Sequence, residues 1–371
     1  MRRETGRGRR GTFLNPTGRF EPLAIEPDPE AGPGADGRVT DENGDAVPIP
    51  TQYFRDSSRS LITRNDSPDV PFTYSLNVYR GCEHGCIYCY ARPYHEYLGL
   101  SAGLDFETKI FVKERAPEIL RTELQRRSWT GEALAMSGVT DAYQPVERRL
   151  RLTRRCLEVM VEYRQPVGLI TKSALVARDA DLLGELARHG AAHAWLTLTT
   201  LEEELRRISE PRAATAEARL DAVARLAERG VPAGVIISPV IPGLTDHEIP
   251  AILQRARQAG ASYAAFTMLR LPHGVAALFE SWLEEHLPAR KEKVLGRLRQ
   301  LRGGCLTDSR FGHRMSGEGA FADVAAQLFH KARERAGLAE GPPPLSSAAF
   351  RRPGRALPLF DEGMIREQGD N

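Results

Sequence analysis

The sequence predicts an α/β fold of repeated strand–helix units, and three observations carry that prediction. Apolar or alternating runs recur at 72–79, 133–139, 167–171, 194–199, 233–237 and 263–269, with the length and β-branched content of strands. Amphipathic stretches near 114–127, 147–164, 179–189, 215–229 and 246–259 lie between them. Three of those stretches end at Gly190, Gly230 and Gly260, the residue type that most readily takes the left-handed conformation closing a helix. Six strands separated by helices make a parallel sheet of βα units. Periodicity alone leaves open whether the sheet is flat or curled into a barrel.

Taken in order, the first run alternates Phe72, Tyr74, Leu76 and Val78 with Thr73, Ser75, Asn77 and Tyr79. The polar set is expected to face inward and so to line a polar lumen with a polar substrate. Just past the six runs stand Arg80-Gly81-Cys82, Thr140-Asp141, Lys172-Ser173, Thr199-Thr200, Ser238-Pro239 and Arg270. Reactive residue types thus collect at the carboxyl ends of the strands, where α/β sheets and barrels bind ligands. The helices supply few candidates: Arg148, Arg149 and Arg219 are read as solvated faces. Glu210-Pro211-Arg212 is read as a charged pair closing a loop, and Cys156 as a small buried apolar residue.

Length and composition bound the organisation. At 371 residues the chain exceeds a single small module, and its 41% hydrophobic content suits a sizeable core. Residues 1–54 are expected to form a largely disordered arm and acidic linker, in which Asn15 to Pro22 docks as a short arm. The folded unit is expected over 55–335, with a Pro-rich tail over 336–371. With 51 basic and 49 acidic residues the net charge is +2, which excludes a general polyanion binder. Only six of the basic residues are lysines, so a lysine ending an apolar strand, as Lys172 does, stands out. The basic N-terminus leads into no apolar segment, and no apolar run is long enough for a membrane span, so a cytoplasmic chain with no membrane partner is expected.

The chemistry concentrates in Cys82-Glu83-His84-Gly85-Cys86-Ile87-Tyr88-Cys89, a C-x3-C-x2-C spacing directly after the first strand. Three thiolates so close wrap one compact metal centre, and thiolates favour zinc or an iron–sulfur cluster. A closed site wants four ligands, whereas Cys156 and Cys305 stand apart. Three cysteines on a four-iron cluster leave one iron open, and an open position marks a catalytic site. The alternative is a zinc site completed by His84 or His95, in a nucleic-acid-binding module without catalysis.

This motif, with Tyr88 before the last cysteine, resembles the radical S-adenosylmethionine (SAM) superfamily. Tyr79-Arg80-Gly81-Cys82 and Cys89-Tyr90-Ala91-Arg92 are similar to the branch containing spore photoproduct lyases and so-called DNA repair photolyases. The likeness continues through Thr140-Asp141, Ile170-Thr171-Lys172, Glu210-Pro211-Arg212 and Val240 to Asp246. It implies a partial (βα)6 TIM-like barrel with disordered N- and C-terminal extensions. It further implies a [4Fe-4S] cluster on Cys82, Cys86 and Cys89, bound SAM, and a low-potential electron donor such as flavodoxin or ferredoxin. Carried over residue by residue, it places Tyr88 beside the adenine and Tyr90 near the sulfonium. Lys172 falls on the SAM carboxylate, flanked by the hydroxyls of Thr197 and Thr199, and Thr140 and Ile241 fall among the cofactor-binding positions. The superfamily's usual Gly-Gly-Glu is replaced by Ser137-Gly138-Val139-Thr140-Asp141, so Asp141 is expected to take the SAM amino group and, with Tyr90, to stand nearest the reacting atoms. Spore photoproduct lyases carry a hydrogen-donating cysteine at the end of the second strand, where this chain has no thiol. The Arg-rich start is compatible with nucleic acid as a partner.

Overall fold

The computed structural model describes residues 10–20 and 49–354; the acidic linker and the last residues of the expected tail lie outside these. Ten strands are present: β1 (Gln52–Arg55), β2 (Ile62–Arg64), β3 (Tyr74–Leu76), β4 (Tyr79–Arg80), β5 (Lys109–Val112), β6 (Leu134–Met136), β7 (Val167–Thr171), β8 (Ala192–Thr197), β9 (Ala233–Val240) and β10 (Tyr263–Met268). Strands β3, β6, β7, β8, β9 and β10 lie side by side, all parallel, and β2 adds to β3 antiparallel. The helices between them follow the expected order, and Gly190, Gly230 and Gly260 have φ of 64°, 74° and 91°.

Alternate residues on each strand divide the sheet's two faces. Leu134, Met136, Val167, Leu169, Ala194, Leu196, Val235 and Ile237 pack against the helices in one continuous core. Each fully buried residue of this size contributes about 1.5–3 kcal/mol. Trp195 and Tyr263, two strands apart, meet edge-on on the opposite face, with ring centroids 4.5 Å apart. Gly234 stands between them, and a Cβ there would overlap the Tyr263 ring. The missing side chain leaves that space to the rings, which lie on the inner face of an incomplete barrel. Segment 310–316 crosses the open side: Met268 N–H donates to Met315 O at 2.8 Å, and Arg314 pairs with Asp69.

Two expectations are corrected. The first run does not continue as one strand, because Asn77 Oδ1 accepts the amides of Val139 and Thr140 and so ends the ladder after Leu76. Tyr79 then joins a separate sheet, ordered β1-β5-β4, and its hydroxyl donates to Glu147 in the core instead of facing the lumen. β1 starts at Gln52, and 338–354 pack along the barrel. Ala264 N–H donates to Ala339 O, Ser346 N–H to Gly190 O and Arg351 N–H to Tyr163 O, at 2.9–3.0 Å, and Phe350 covers Gly131.

Candidate active site

The cysteine loop is held from behind by buried charge. Arg92, fully buried, donates to the carbonyls of Cys86 (3.0 Å), Ala102, Gly103 and Gly85 and to Glu107 Oε1 (2.6 Å). The other oxygen of Glu107 accepts the amide of Gly11 at 2.8 Å, where any larger residue would overlap the Gly85 carbonyl. The arm then continues along the body: Leu104 N–H donates to Leu14 O, and Asn15 exchanges hydrogen bonds with Asp105. On the opposite side Glu83 Oε1 accepts from Thr51, Tyr53 and Arg212, and its Oε2 accepts from the Val146 amide at 2.7 Å.

Cys82 and Cys86 are buried and Cys89 is half-buried. Burial pushes the first two thiols up, so ionising them requires a cationic centre beside them. Among the described residues, the one trio of His, Cys, Asp or Glu ligand atoms within 4.8 Å of each other is Glu202, His247 and Glu248. Three thiols from one loop, with Cys156 and Cys305 outside it, suit a cluster that leaves one iron open.

Facing the loop, Lys172 at the end of β7 lies 5.7 Å from the Tyr88 ring centroid and donates to Ser238 O at 3.3 Å. The Tyr88 hydroxyl contacts Thr199 Oγ1 at 3.0 Å and donates to Glu210, whose other oxygen pairs with Arg219. Glu210 and Arg219 are both fully buried, which corrects the reading of Arg219 as a solvated face. Burial would raise the Glu210 carboxyl, but Arg219, Lys172 and Tyr88 outweigh it and hold the pKa at about 2. Thr197 is buried one inward position before Thr199, and Ile241 packs with Cys86 and Tyr88. The structure thus brings together Cys86, Tyr88, Lys172, Thr199 and Glu210.

Asp141 is bound into the rim by several neighbours. Its Oδ1 accepts from Thr171 Oγ1 (2.7 Å) and the Tyr143 amide (2.8 Å), and its Oδ2 accepts the Lys172 amide (2.8 Å) and lies 3.4 Å from His84 Nδ1. Burial again works against these contacts, which hold its carboxyl at about 2. Three hydrogen bonds and the His84 contact tie Asp141 to its neighbours, so it fixes the loop. Thr140 likewise donates its hydroxyl to Tyr79 O at 2.9 Å. Tyr90 lies at the barrel mouth, its hydroxyl donating to Gly138 O (2.6 Å) and its ring under Arg270. Just before it along the rim, Ser137 sits at φ 75°, a backbone conformation that functional loops retain at a cost. His95 is buried and its Nε2 contacts Lys109 O at 3.0 Å, and Cys305 is exposed.

The profile of the radical SAM superfamily matches residues 76–256. An uncharacterised protein of Mycobacterium tuberculosis is 34% identical over 234 residues, 62% of this chain and 68% of its own length. The chain belongs to the radical SAM superfamily. A Pseudomonas phage M6 radical SAM enzyme named Nα-GlyT isomerase is 26% identical over 49% of this chain and 36% of that protein. Spore photoproduct lyase complexed with dinucleoside spore photoproduct superposes with a TM-score of 0.54 at 14% identity, covering 78% of this chain and 80% of that one. The radical SAM fold expected from the sequence is therefore present, and with it an enzyme whose cofactors are a [4Fe-4S] cluster and SAM. No helix among the described residues is long and apolar enough to cross a membrane.

Sequence reasoning gave Arg92 and Glu107 no role, read Arg219 as a solvated face, and paired Glu210 with Arg212, whereas Glu210 pairs with Arg219 and Arg212 with Glu83. One signal was available for Arg219: it shares the apolar stripe of helix Ala216–Glu228 with Ala216, Val223 and Leu226. A cation in that stripe needs a buried partner.

Proposed function

We propose that Cys82, Cys86 and Cys89 hold the cluster and that the lumen in front of them holds SAM and a polar substrate, from which hydrogen is abstracted. When bound, the cluster and SAM supply reductive cleavage of the sulfonium carbon–sulfur bond and the radical that removes a hydrogen atom. The chain's own residues bind, orient and exclude water. Lys172 presents an ammonium for the SAM carboxylate, and Thr197 and Thr199 offer hydroxyls beside it. Tyr88 and Ile241 form an apolar wall for the adenine, and Glu210 fixes the Tyr88 hydroxyl so that the ring keeps its face. Tyr90 closes the mouth above the sulfonium. Asp141 and Thr140 position the loop instead of touching SAM, and the partner of the SAM amino group is sought elsewhere on the rim. A low-potential donor such as flavodoxin or ferredoxin reduces the cluster, in a reducing cytoplasm that keeps the thiols free.

The observation that carries this reading is the convergence of three thiols from one loop with Lys172 from β7, at the carboxyl end of a parallel barrel. The test is anaerobic reconstitution. Iron and sulfide with broad visible absorbance, and 5'-deoxyadenosine on reduction with SAM, are expected. The absorbance should vanish in Cys82→Ala, Cys86→Ala or Cys89→Ala and persist in C156A and C305A. Zinc alone, or no 5'-deoxyadenosine from a fully reduced sample, would remove the reading.

A further inference from the structure

Arg270 follows β10 on the rim of the barrel and is half-buried. Its guanidinium lies 4.4 Å from the Tyr90 ring centroid, and it makes no hydrogen bond or ion pair among the described residues. Its charged neighbours are the cations Arg314 and Arg302 and the Asp69 carboxylate, which Arg314 already holds, and burial with the Arg314 repulsion pushes its pKa down. By contrast Arg314 pairs with Asp69, Arg302 donates to backbone carbonyls, and Arg19 pairs with Glu96. A half-buried guanidinium with no hydrogen-bonded counter-charge among the described residues leaves its donors open to an oxyanion.

The surface around it is equally specific. Ten large hydrophobic side chains are exposed among the described residues, and five of them gather here: Phe20, Tyr90, Tyr94, Tyr97 and Phe311. Phe20 and Tyr97 have centroids 5.0 Å apart and Tyr94 and Tyr97 6.3 Å, while Arg19 covers Phe20 and Arg314 covers Phe311 at 5.0 and 4.5 Å. Flat rings interleaved with guanidinium groups form a stacking surface next to an anion site, the combination that takes bases and phosphates together. The ridge is longer than one ring. The net charge of +2 means that the attraction is local and not a property of the whole surface.

We infer that Arg270 anchors a phosphate of a nucleotide-containing substrate at the barrel mouth, with its bases stacked along Tyr94 and Tyr97. This rests on the reading of the barrel as the substrate site. The phosphate comes either from a free nucleotide or from an unpaired strand, and the same assay separates them. Anaerobic, reconstituted enzyme is titrated into a fluorescent single-stranded oligonucleotide, DNA and RNA in turn, and anisotropy is read with nucleoside monophosphate, inorganic phosphate or duplex as competitors. The strand should bind, Arg270→Gln should weaken binding about tenfold or more, and Arg270→Lys should recover part of the loss. Tyr97→Ala should weaken it about fivefold or more. Competition by the monophosphate as strong as by the strand assigns a free nucleotide; competition by the strand alone assigns the strand. Wild-type affinity in R270Q, or no binding of any probe by wild type, overturns the inference. The absorbance and 5'-deoxyadenosine of the same samples are measured alongside: if they are normal while binding is absent, only the Arg270 inference falls, and if they fail, the reading beneath it falls too.

Discussion

Removing Arg219 should destabilise the enzyme through the charge it leaves behind. Its guanidinium donates to Ala214 O (2.9 Å), Thr197 O (2.8 Å) and Glu210, and the two side chains are only 2% and 1% exposed. In Arg219→Met the apolar stem is preserved but Glu210 keeps only Tyr88 as a side-chain partner. Breaking a buried pair in this way costs about 3–5 kcal/mol. In the double variant R219M/E210Q no net charge is stranded, and the residual loss comes from two unpaired carbonyls and an imperfectly paired amide, about 1–3 kcal/mol. The double variant should therefore be more stable than the single one. Acid provides a second signature. In wild type the Glu210 pKa of about 2 lies below its ordinary 4.5, so its contribution is present above pH 4.5 and is lost as pH falls through 2. In R219M burial should raise that pKa, so the gap to wild type should narrow as pH falls. Anaerobic urea unfolding of the reconstituted proteins at neutral and acidic pH reads both effects. A loss under about 1 kcal/mol in R219M, or a double variant no better than the single, would refute the reasoning.

Lys172→Ala should weaken SAM binding by about 1.5–3 kcal/mol, the range of a charge-assisted hydrogen bond, as read by equilibrium dialysis with the cluster in place; unchanged affinity would move the carboxylate site elsewhere. His95 is buried, and desolvation lowers its pKa from 6.5 to about 4. The stability it leaves intact above pH 6.5 should decline as pH falls towards 4, by on the order of 3 kcal/mol at most, and the pH slope of chemical denaturation should flatten in His95→Gln. Gly11→Val places a side chain against the Gly85 carbonyl, so the N-terminal arm should detach and the cluster absorbance should bleach faster in air than in wild type. Equal bleaching rates would show that the arm does not shield the loop.

Much of the fold was legible because it rests on local signals. The apolar runs that became β6 to β10 and the glycines closing three helices are set by backbone preference and by periodicity within a few residues. The cysteine spacing was legible for the same reason: three thiols within eight residues meet whatever the rest of the chain does. Other features depended on partners far away in sequence. Asn77 ends the first barrel strand because the amides of Val139 and Thr140 reach it, about 60 residues on. Asp141 is tied to Thr171, Lys172 and His84, of which the sequence alone places none beside it. Arg219 reads as a surface residue until Glu210, nine residues before it, turns inward to meet both it and the distant Tyr88, and Arg270 gains meaning only once Tyr90, Tyr94 and Arg314 surround it without a hydrogen-bonded anion. The sequence by itself determined the elements and the metal-binding loop, because short-range geometry and residue chemistry suffice for them. Tertiary structure alone decided which charges are paired, buried or left open, because Coulomb energy and desolvation depend on distances between groups that only the closed chain brings together.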